Sequence, residues 1–242
     1  MRAHKFSLTV LRGVTAALAI AAGFVAGQPA VAQAAGLERV VMSPQVPSAP
    51  AYNNGFVFPA VFGKTSVAPG GPQPFKQWAN IMDRFRGEIS QAGYCQASLF
   101  TRCHLQDWQA ELDQLSGQDL MSQLDGVNRY MNKVRYVPDL RNYRLNDYWA
   151  APVEFMKNGG DCEDFAIAKY MSLRALGVPD ERMRIVVLMD TYKRQGHAVL
   201  VVATNNGLML LDNLRSEVTP VERIAHYMPV FSMNQASWWV HR

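Results

Sequence analysis

The 242-residue chain carries 24 Lys and Arg residues against 20 Asp and Glu residues, a formal net charge of +4. Three of the basic residues, Arg2, Lys5 and Arg12, lie in the first 34 positions, which hold no acidic residue. The remaining chain, with 21 basic and 20 acidic residues, is close to neutral. Its charge therefore gives no support for nucleic-acid binding or for attachment to an acidic membrane surface.

The N-terminus has the pattern of a secretory signal peptide. The basic residues precede an uncharged apolar run from Val14 to Ala26, and small residues around Ala32-Gln33-Ala34 fit a cleavage site. The run is shorter than the roughly 20 residues that a membrane-spanning helix needs. We therefore expect residues 1–34 to be a signal peptide and the mature protein to be periplasmic. An uncleaved membrane anchor is the alternative.

Residues 35–74 are rich in Pro, Gly, Ser and Ala, with seven prolines between Pro44 and Pro74. Because proline interrupts helices and central strands, this segment is predicted to be an extended or partly disordered leader. The aromatic island Phe56-Val57-Phe58 is a candidate for packing on the domain that follows. Residues 75–242 suffice for one domain with a substantial core.

Helical spacing of apolar residues predicts the first two helices, over residues 75–90 and from Leu120 to Val134, the second ended by Pro138. A polar, aromatic-rich loop is expected over residues 139–150 and a short helix over residues 152–157.

A further helix is predicted after Gly159-Gly160, a dipeptide that interrupts helical structure. Asp161 is suited to its N-cap and Asp164 to the capping-box position three residues on. Gly177 and Pro179 end the apolar stripe of this helix.

The second half of the domain has the pattern of strands. Apolar runs over residues 184–190, 198–203 and 208–211 predict three of them, and Asn205-Asn206-Gly207 is a turn signal between the last two. Thr219-Pro220-Val221-Glu222 predicts a short helix, and a final strand is expected at Trp238-Trp239-Val240, where the tail from Pro229 to His241 ends. Helices followed by a mostly antiparallel sheet define an α+β domain.

The three cysteines, Cys95, Cys103 and Cys162, make an odd count. In an oxidising compartment Cys95 and Cys103 most simply form a local disulfide, which leaves Cys162 as a free thiol. A disulfide between Cys162 and one of the other two remains an alternative.

A free Cys162 has the setting of a nucleophile. It directly follows the predicted N-cap, where the helix dipole favours a thiolate and backbone N–H groups can bind an oxyanion. His197, at the head of a strand, is the candidate general base, and Asp212 is the candidate that orients its imidazole. For neighbouring strands, a four-residue loop from Ala203 to Asn206 would set His197 opposite Asp212. A two-residue turn at Asn206-Gly207 would separate them by about 13 Å along the strand.

Three carboxylates, Asp161, Glu163 and Asp164, flank the thiol and oppose its ionisation. A hard cation such as calcium would offset this effect. Alternatively, Asp161 caps the helix and the other two form a solvated first turn that is favourable with the helix dipole. From the residues alone, the second account is the simpler one.

Five segments of the chain form a specific combination of motifs: Tyr148–Phe155, Gly159–Tyr170, Leu173–Pro179, Gly196–Leu200 and Leu211–Asn213. Together they resemble the bacterial transglutaminase-like cysteine peptidases, whose best-known members are the LapG-type periplasmic proteases that cut large biofilm adhesins. The resemblance covers roughly residues 75–242.

The resemblance implies a papain/transglutaminase-like fold and a Cys-His-Asp triad of Cys162, His197 and Asp212. It also implies a calcium site that uses Asp161 and Glu163, which reverses the preference for a metal-free helix start. An inner-membrane receptor that senses cyclic-di-GMP is a further partner by family analogy, outside the motif residues.

The resulting expectation is a periplasmic, calcium-assisted cysteine endopeptidase whose substrate is an exported protein such as a surface adhesin. Two alternatives stay open: an acyltransferase or amidase that uses the same triad, and a non-catalytic binding module on this fold.

Overall fold

The computed structural model describes residues 56–68, 76–90 and 103–242. Within these residues the chain forms an α+β domain, as predicted. The helices are α1 (Lys76–Ser90), α2 (His104–Leu115), α3 (Leu120–Met131), α4 (Asp139–Asn142), α5 (Pro152–Asn158) and α6 (Cys162–Ala175). Four of these match predicted helices; α2 and the single turn of α4, inside the predicted loop, were missed.

Seven strands of the described residues form one antiparallel sheet, in the order β1-β7-β6-β2-β3-β4-β5. Their bounds are β1 (Ser66–Val67), β2 (Met183–Asp190), β3 (Gln195–Thr204), β4 (Gly207–Leu211), β5 (Thr219–Pro220), β6 (Tyr227–Met233) and β7 (Trp238–His241). The most continuous apolar run belongs to β3, which lies between β2 and β4 and is buried from His197 to Ala203. A continuous apolar run is expected for a central strand that is covered on both faces.

Helices cover one face of the sheet. α6 packs mainly on β3, and its residues 164–173 are all buried, so it is a core helix rather than a surface one. Alternation along β3 divides its side chains between two cores: Leu200 and Val202 join the helices, whereas Val199 and Val201 point the other way. The start of α6 is thereby placed against β3.

The second face of the sheet is covered in part by residues 56–68, which belong to the predicted leader. Phe58 and Val61 are buried there, and the guanidinium of Arg184 lies 4.1 Å from the centre of the Phe58 ring. β1 extends the sheet by pairing with β7. The aromatic island therefore packs on the domain, while the division of the chain at residue 75 stays a prediction.

One prediction for the C-terminal region was wrong. Thr219 and Pro220 form the edge strand β5 and only Val221–Arg223 form a 3-10 turn, where a short helix was expected. The final strand predicted at Trp238-Trp239-Val240 is present as β7, whereas β6 was missed; residues 234–237 turn between these two strands, with the Asn234 side chain accepting from the Ser237 N–H at 2.9 Å. The short helix was a misreading because Pro220 suits an edge strand as well as a helix start.

Several predictions concern residues outside the described ranges. The signal peptide over residues 1–34 and Cys95 are among them, so the Cys95–Cys103 disulfide stays a prediction, although Cys103 itself is buried. Among the described residues, no helix combines the length and apolar character needed to cross a membrane.

Candidate active site and cation site

Two glycines bring the chain into α6. Gly159 has φ 78° and ψ 178°, a conformation that glycine alone adopts readily, and a Cβ there would lie 2.5 Å from the Arg135 carbonyl oxygen. A Cβ on Gly160 would lie 2.1 Å from Asp164 Oδ2. The Gly160 carbonyl accepts from the Val137 N–H at 2.8 Å, which ties this entry to the segment before α4. The Gly159-Gly160 dipeptide is thus tightly packed where the chain enters α6.

Asp164, rather than Asp161, holds the start of α6 together. Its buried carboxylate accepts from the backbone N–H groups of Asp161 at 3.0 Å and Ala150 at 2.7 Å. Asp161 occupies the N-cap position, but its side chain makes no capping hydrogen bond and instead accepts from the Asp139 N–H at 3.2 Å. Asp161 Oδ1 is buried without a hydrogen-bond partner. Asp161 and Asp164 therefore take the predicted N-cap and capping-box positions, and the Asp164 carboxylate accepts the N-cap N–H.

Cys162 is a free thiol at the first position of α6, as predicted. Its sulfur lies 3.2 Å from Glu163 Oε2 and accepts a hydrogen bond from the backbone N–H of Ala198, the neighbour of His197. Burial, then the charge of Glu163 and its hydrogen bond, raise the pKa of Cys162, and the Ala198 N–H acts against them. The predicted obstacle to thiolate formation is thus present in the fold.

His197 and Asp212, called the His–Asp pair below, are in direct contact. His197 Nε2 lies 2.9 Å from Asp212 Oδ1, and both residues are buried. Asp212 also accepts from the Leu214 N–H at 3.0 Å and the Tyr227 hydroxyl at 2.8 Å. Burial raises the pKa of Asp212, but the hydrogen bond and charge of His197, with these two donors, outweigh it and the pKa is lowered. Asp212 is therefore held as a carboxylate.

The register of the β3–β4 hairpin differs from both registers considered from the sequence. Thr204 pairs with Gly207, so the turn is the two residues Asn205 and Asn206, and the four-residue loop was wrong. Continued by one residue, this register sets Asp212 opposite Val199, diagonal to His197. Diagonal neighbours lie about 7–8 Å apart at Cα, within reach of two long side chains. The hydrogen bond therefore forms without the longer loop.

Five acidic residues form a group of which two, Asp161 and Glu163, lie beside the thiol; we call this group the acidic cluster. Its members are Asp139, Asp147, Asp161, Glu163 and Asp164. One oxygen each from Asp139, Asp147 and Glu163 lie within 4.8 Å of one another, and so do oxygens of Asp139, Asp161 and Asp164. Burial, a hydrogen bond with Asp161 and the Asp161 charge raise the pKa of Glu163. Burial also raises the pKa of Asp139 to about 6, against a hydrogen bond from the Tyr148 N–H. The carboxylates of the acidic cluster therefore repel one another.

The donor set fits a hard cation. Oxygen ligands in flexible geometry are what calcium prefers, and Asp139 Oδ1 and Asp161 Oδ1 are both buried and unpartnered. Sequence reasoning identified Asp161 and Glu163 but missed Asp139 and Asp147. The signal was present as two aspartates in the segment over residues 139–150, but only the tertiary pairing of Tyr136 with Gly160 shows that this segment reaches α6.

The sheet, its core helix and the thiol where they meet place the molecule among cysteine peptidases of transglutaminase-like fold. The chain belongs to the bacterial transglutaminase-like cysteine proteinase family, whose sequence profile matches residues 87–241. This confirms the family and the fold class predicted from the motifs.

Solved structures of LapG from Legionella pneumophila are similar to this chain. The calcium-bound form has 34% sequence identity and a TM-score of 0.56, with 64% of this chain and 86% of that chain covered. The EGTA-treated form has 31% identity and a TM-score of 0.51, covering 67% of this chain and 78% of that one. A comparison with curated protein sequences found no match.

Proposed function

We propose that this cysteine peptidase acts through a triad of Cys162, His197 and Asp212. The observation that carries the proposal is the hydrogen bond from the Ala198 N–H to the Cys162 sulfur, since it joins the start of α6 to the strand that holds the His–Asp pair. The Nε2 atom of His197 faces Asp212, which leaves Nδ1 for the thiol.

The reaction proceeds in two steps. The Cys162 sulfur attacks the peptide carbonyl while His197 takes the thiol proton, and the imidazolium then protonates the leaving amine as the C–N bond breaks. Water, deprotonated by His197, hydrolyses the thioester and returns the thiol. Throughout, Asp212 keeps the imidazole in one tautomer and stabilises its charged form.

Negative charge develops on the carbonyl oxygen in both steps. Cys162 is the first residue of α6, so its N–H has no partner within the helix and points out of the helix end. This donor and the positive end of the helix dipole are suited to stabilise the oxyanion.

We further propose that the acidic cluster holds calcium, with Asp139, Asp147, Asp161 and Glu163 as the residues that would bind it. When bound, the cation supplies positive charge that offsets the carboxylates beside the thiol and so favours the thiolate. Asp164 is occupied by two backbone N–H groups and serves the helix start instead.

The proposed location is the periplasm, and the proposed substrate is an exported protein, of which a large surface adhesin is the first candidate. The support is the signal-like N-terminus and the resemblance to LapG-type proteases. An inner-membrane receptor that restrains the protease belongs to the same proposal and rests on that resemblance alone.

The test compares secreted and surface proteins of cells that carry wild-type protein or Cys162→Ala. We expect at least one surface protein to stay uncut and attached in the variant. Unchanged protein sizes and locations would overturn the processing role, and an unchanged phenotype would favour a binding module. Incorporation of a labelled amine by purified protein, in place of cleavage, would indicate acyl transfer.

A further inference from the structure

Tyr227 makes a contact that the triad does not require. It is the first residue of β6 and is buried, and its hydroxyl donates to Asp212 Oδ2 at 2.8 Å. The other carboxylate oxygen, Oδ1, faces His197 Nε2 and the Leu214 N–H. Each oxygen of Asp212 thus has its own donors, and the hydroxyl of Tyr227 fixes the plane in which the two oxygens lie.

Aromatic neighbours hold the Tyr227 ring in place. Its centroid lies 4.7 Å from that of His226, 5.6 Å from that of Phe62 and 5.7 Å from that of His197, each in an edge-to-face arrangement. His226 is itself stacked on Tyr192 at 4.4 Å. The ring therefore contacts the imidazole directly while its hydroxyl contacts the imidazole's partner.

We propose that Tyr227 is a positioning residue for the His–Asp pair, which holds the Asp212 carboxylate and the His197 ring in the orientation that points Nδ1 at the thiol. This inference rests on the proposed triad and adds a member to it from a different strand.

Among the described residues, the Tyr227 hydroxyl is the one hydrogen-bond donor to Asp212 Oδ2. Arg215 Nε lies 4.0 Å from this oxygen, beyond hydrogen-bond distance. Burial, followed by the charge of Asp212 and the hydrogen bond to it, raises the pKa of Tyr227, so the phenol remains a protonated donor. Without it, Asp212 could rotate about its Cβ–Cγ bond, and the imidazole would lose its fixed orientation.

The decisive substitution is Tyr227→Phe, which keeps the ring and removes the hydroxyl. Its matched control is Tyr170→Phe, because Tyr170 is also buried and also donates to a carboxylate, that of Asp180, near the other end of α6. Two properties are measured in purified full-length protein. The first is the rate at which iodoacetamide alkylates Cys162, followed by peptide mass spectrometry; the second is the proton NMR resonance of the His197–Asp212 hydrogen bond.

We expect Tyr227→Phe to slow alkylation about tenfold, a minor part of the roughly 10²- to 10⁴-fold effect of a positioned base, and to shift the resonance. Tyr170→Phe should change neither, and 3-fluorotyrosine at position 227, which keeps the donor, should restore both. An unmoved resonance, or an alkylation rate equal to that of Tyr170→Phe, overturns the proposal. His197→Ala distinguishes failure of the triad from failure of the role of Tyr227. If His197→Ala also leaves the alkylation rate unchanged, the triad itself is refuted. If alkylation is slow in His197→Ala but normal in Tyr227→Phe, only the role of Tyr227 is refuted.

Discussion

The buried carboxylates of the His–Asp pair and of the acidic cluster differ in their hydrogen-bond partners. Both oxygens of Asp212 accept hydrogen bonds, and its pKa is lowered despite burial. In the acidic cluster, oxygens of Asp139 and Asp161 are buried without partners, and the pKa values of Asp139 and Glu163 are raised.

The difference indicates that the chain itself supplies enough hydrogen-bond donors for the carboxylate of the His–Asp pair but not for those of the acidic cluster. A buried carboxylate is stable when donors surround it, and Asp212 has them. In the acidic cluster, Asp164 has two backbone donors, but one buried oxygen each of Asp139 and Asp161 has none, so the native form of this cluster requires protons or a cation. We therefore expect the His–Asp pair to be indifferent to calcium and the acidic cluster to depend on it.

The largest expected effect is that of Asp212→Asn. An amide keeps the shape but stabilises the wrong imidazole tautomer, a change that costs about 10⁴-fold in kcat in a serine protease triad. The measurement is cleavage of the protein that accumulates uncut in Cys162→Ala cells. Asp190→Asn is the control, since Asp190 is also buried but accepts from the Tyr192 and Lys193 N–H groups in a hairpin. Equal activities of the two variants would remove Asp212 from the mechanism.

The next effect concerns calcium and stability. A ligand that binds only the native state at 100 times its Kd adds about 2.7 kcal/mol, or a rise in Tm of about 5–10 °C for a domain of this size. We expect such a rise in Tm in the wild-type protein when calcium replaces chelator, and a much smaller rise in Asp161→Asn. Asp113→Asn is the control and should keep the full rise, because the Asp113 carboxylate is exposed and outside the acidic cluster. A melting curve that calcium does not move would refute the cation site.

The pH dependence of that effect follows from the raised pKa values. Without calcium, the native state binds more protons than the unfolded chain above the ordinary carboxyl pKa, so its stability falls as pH rises through the value of about 6 for Asp139. Protons and calcium compete for the same oxygens. The calcium-induced rise in Tm should therefore grow between pH 5 and about 7; a rise that shrinks over this range would contradict the assignment.

The fold could be predicted from the sequence where local signals are strong. Apolar periodicity located α1 and α3, and the Gly159-Gly160 break located the start of α6. The hairpin between β3 and β4 was harder, because Asn205-Asn206-Gly207 permits turns that differ by one residue and only the pairing of Thr204 with Gly207 decides among them. The diagonal reach from His197 to Asp212 is a property of that register.

The site could be predicted only in its motif residues. Cys162, His197 and Asp212 were identified from spacing and resemblance. The structure brings His197 into contact with Asp212 and joins the Cys162 sulfur to the Ala198 N–H, and the triad stays a prediction. Asp139, Asp147 and Tyr227 were not, because they lie far along the chain from Cys162 or His197 and their own segments do not show what they contact. Their contribution depends on tertiary contacts, such as the hydrogen bond between the Val137 N–H and the Gly160 carbonyl, that no local window of sequence contains.

The smallest expected change in calcium binding tests whether the contact between the Arg135 segment and Gly159-Gly160 positions the acidic cluster. Gly159→Ala places a methyl group 2.5 Å from the Arg135 carbonyl oxygen and forces alanine into a glycine conformation, for about 1–3 kcal/mol of strain with a similar overpacking term. Gly117→Ala is the matched control, because Gly117 has nearly the same φ, 76°, with no atom within 4 Å of the added Cβ.

Both variants should lose stability in urea unfolding, Gly117→Ala by about 1–2 kcal/mol from its left-handed backbone alone and Gly159→Ala by more. The informative quantity is the calcium-induced rise in Tm. It should be retained in Gly117→Ala and reduced in Gly159→Ala, because displacing the Arg135 segment moves Asp139 away from Asp161, with which it shares a hydrogen bond. If both variants keep the full rise, the cation contacts do not depend on the contact between the Arg135 segment and Gly159-Gly160, and the carboxylates on α6 alone are sufficient to bind it.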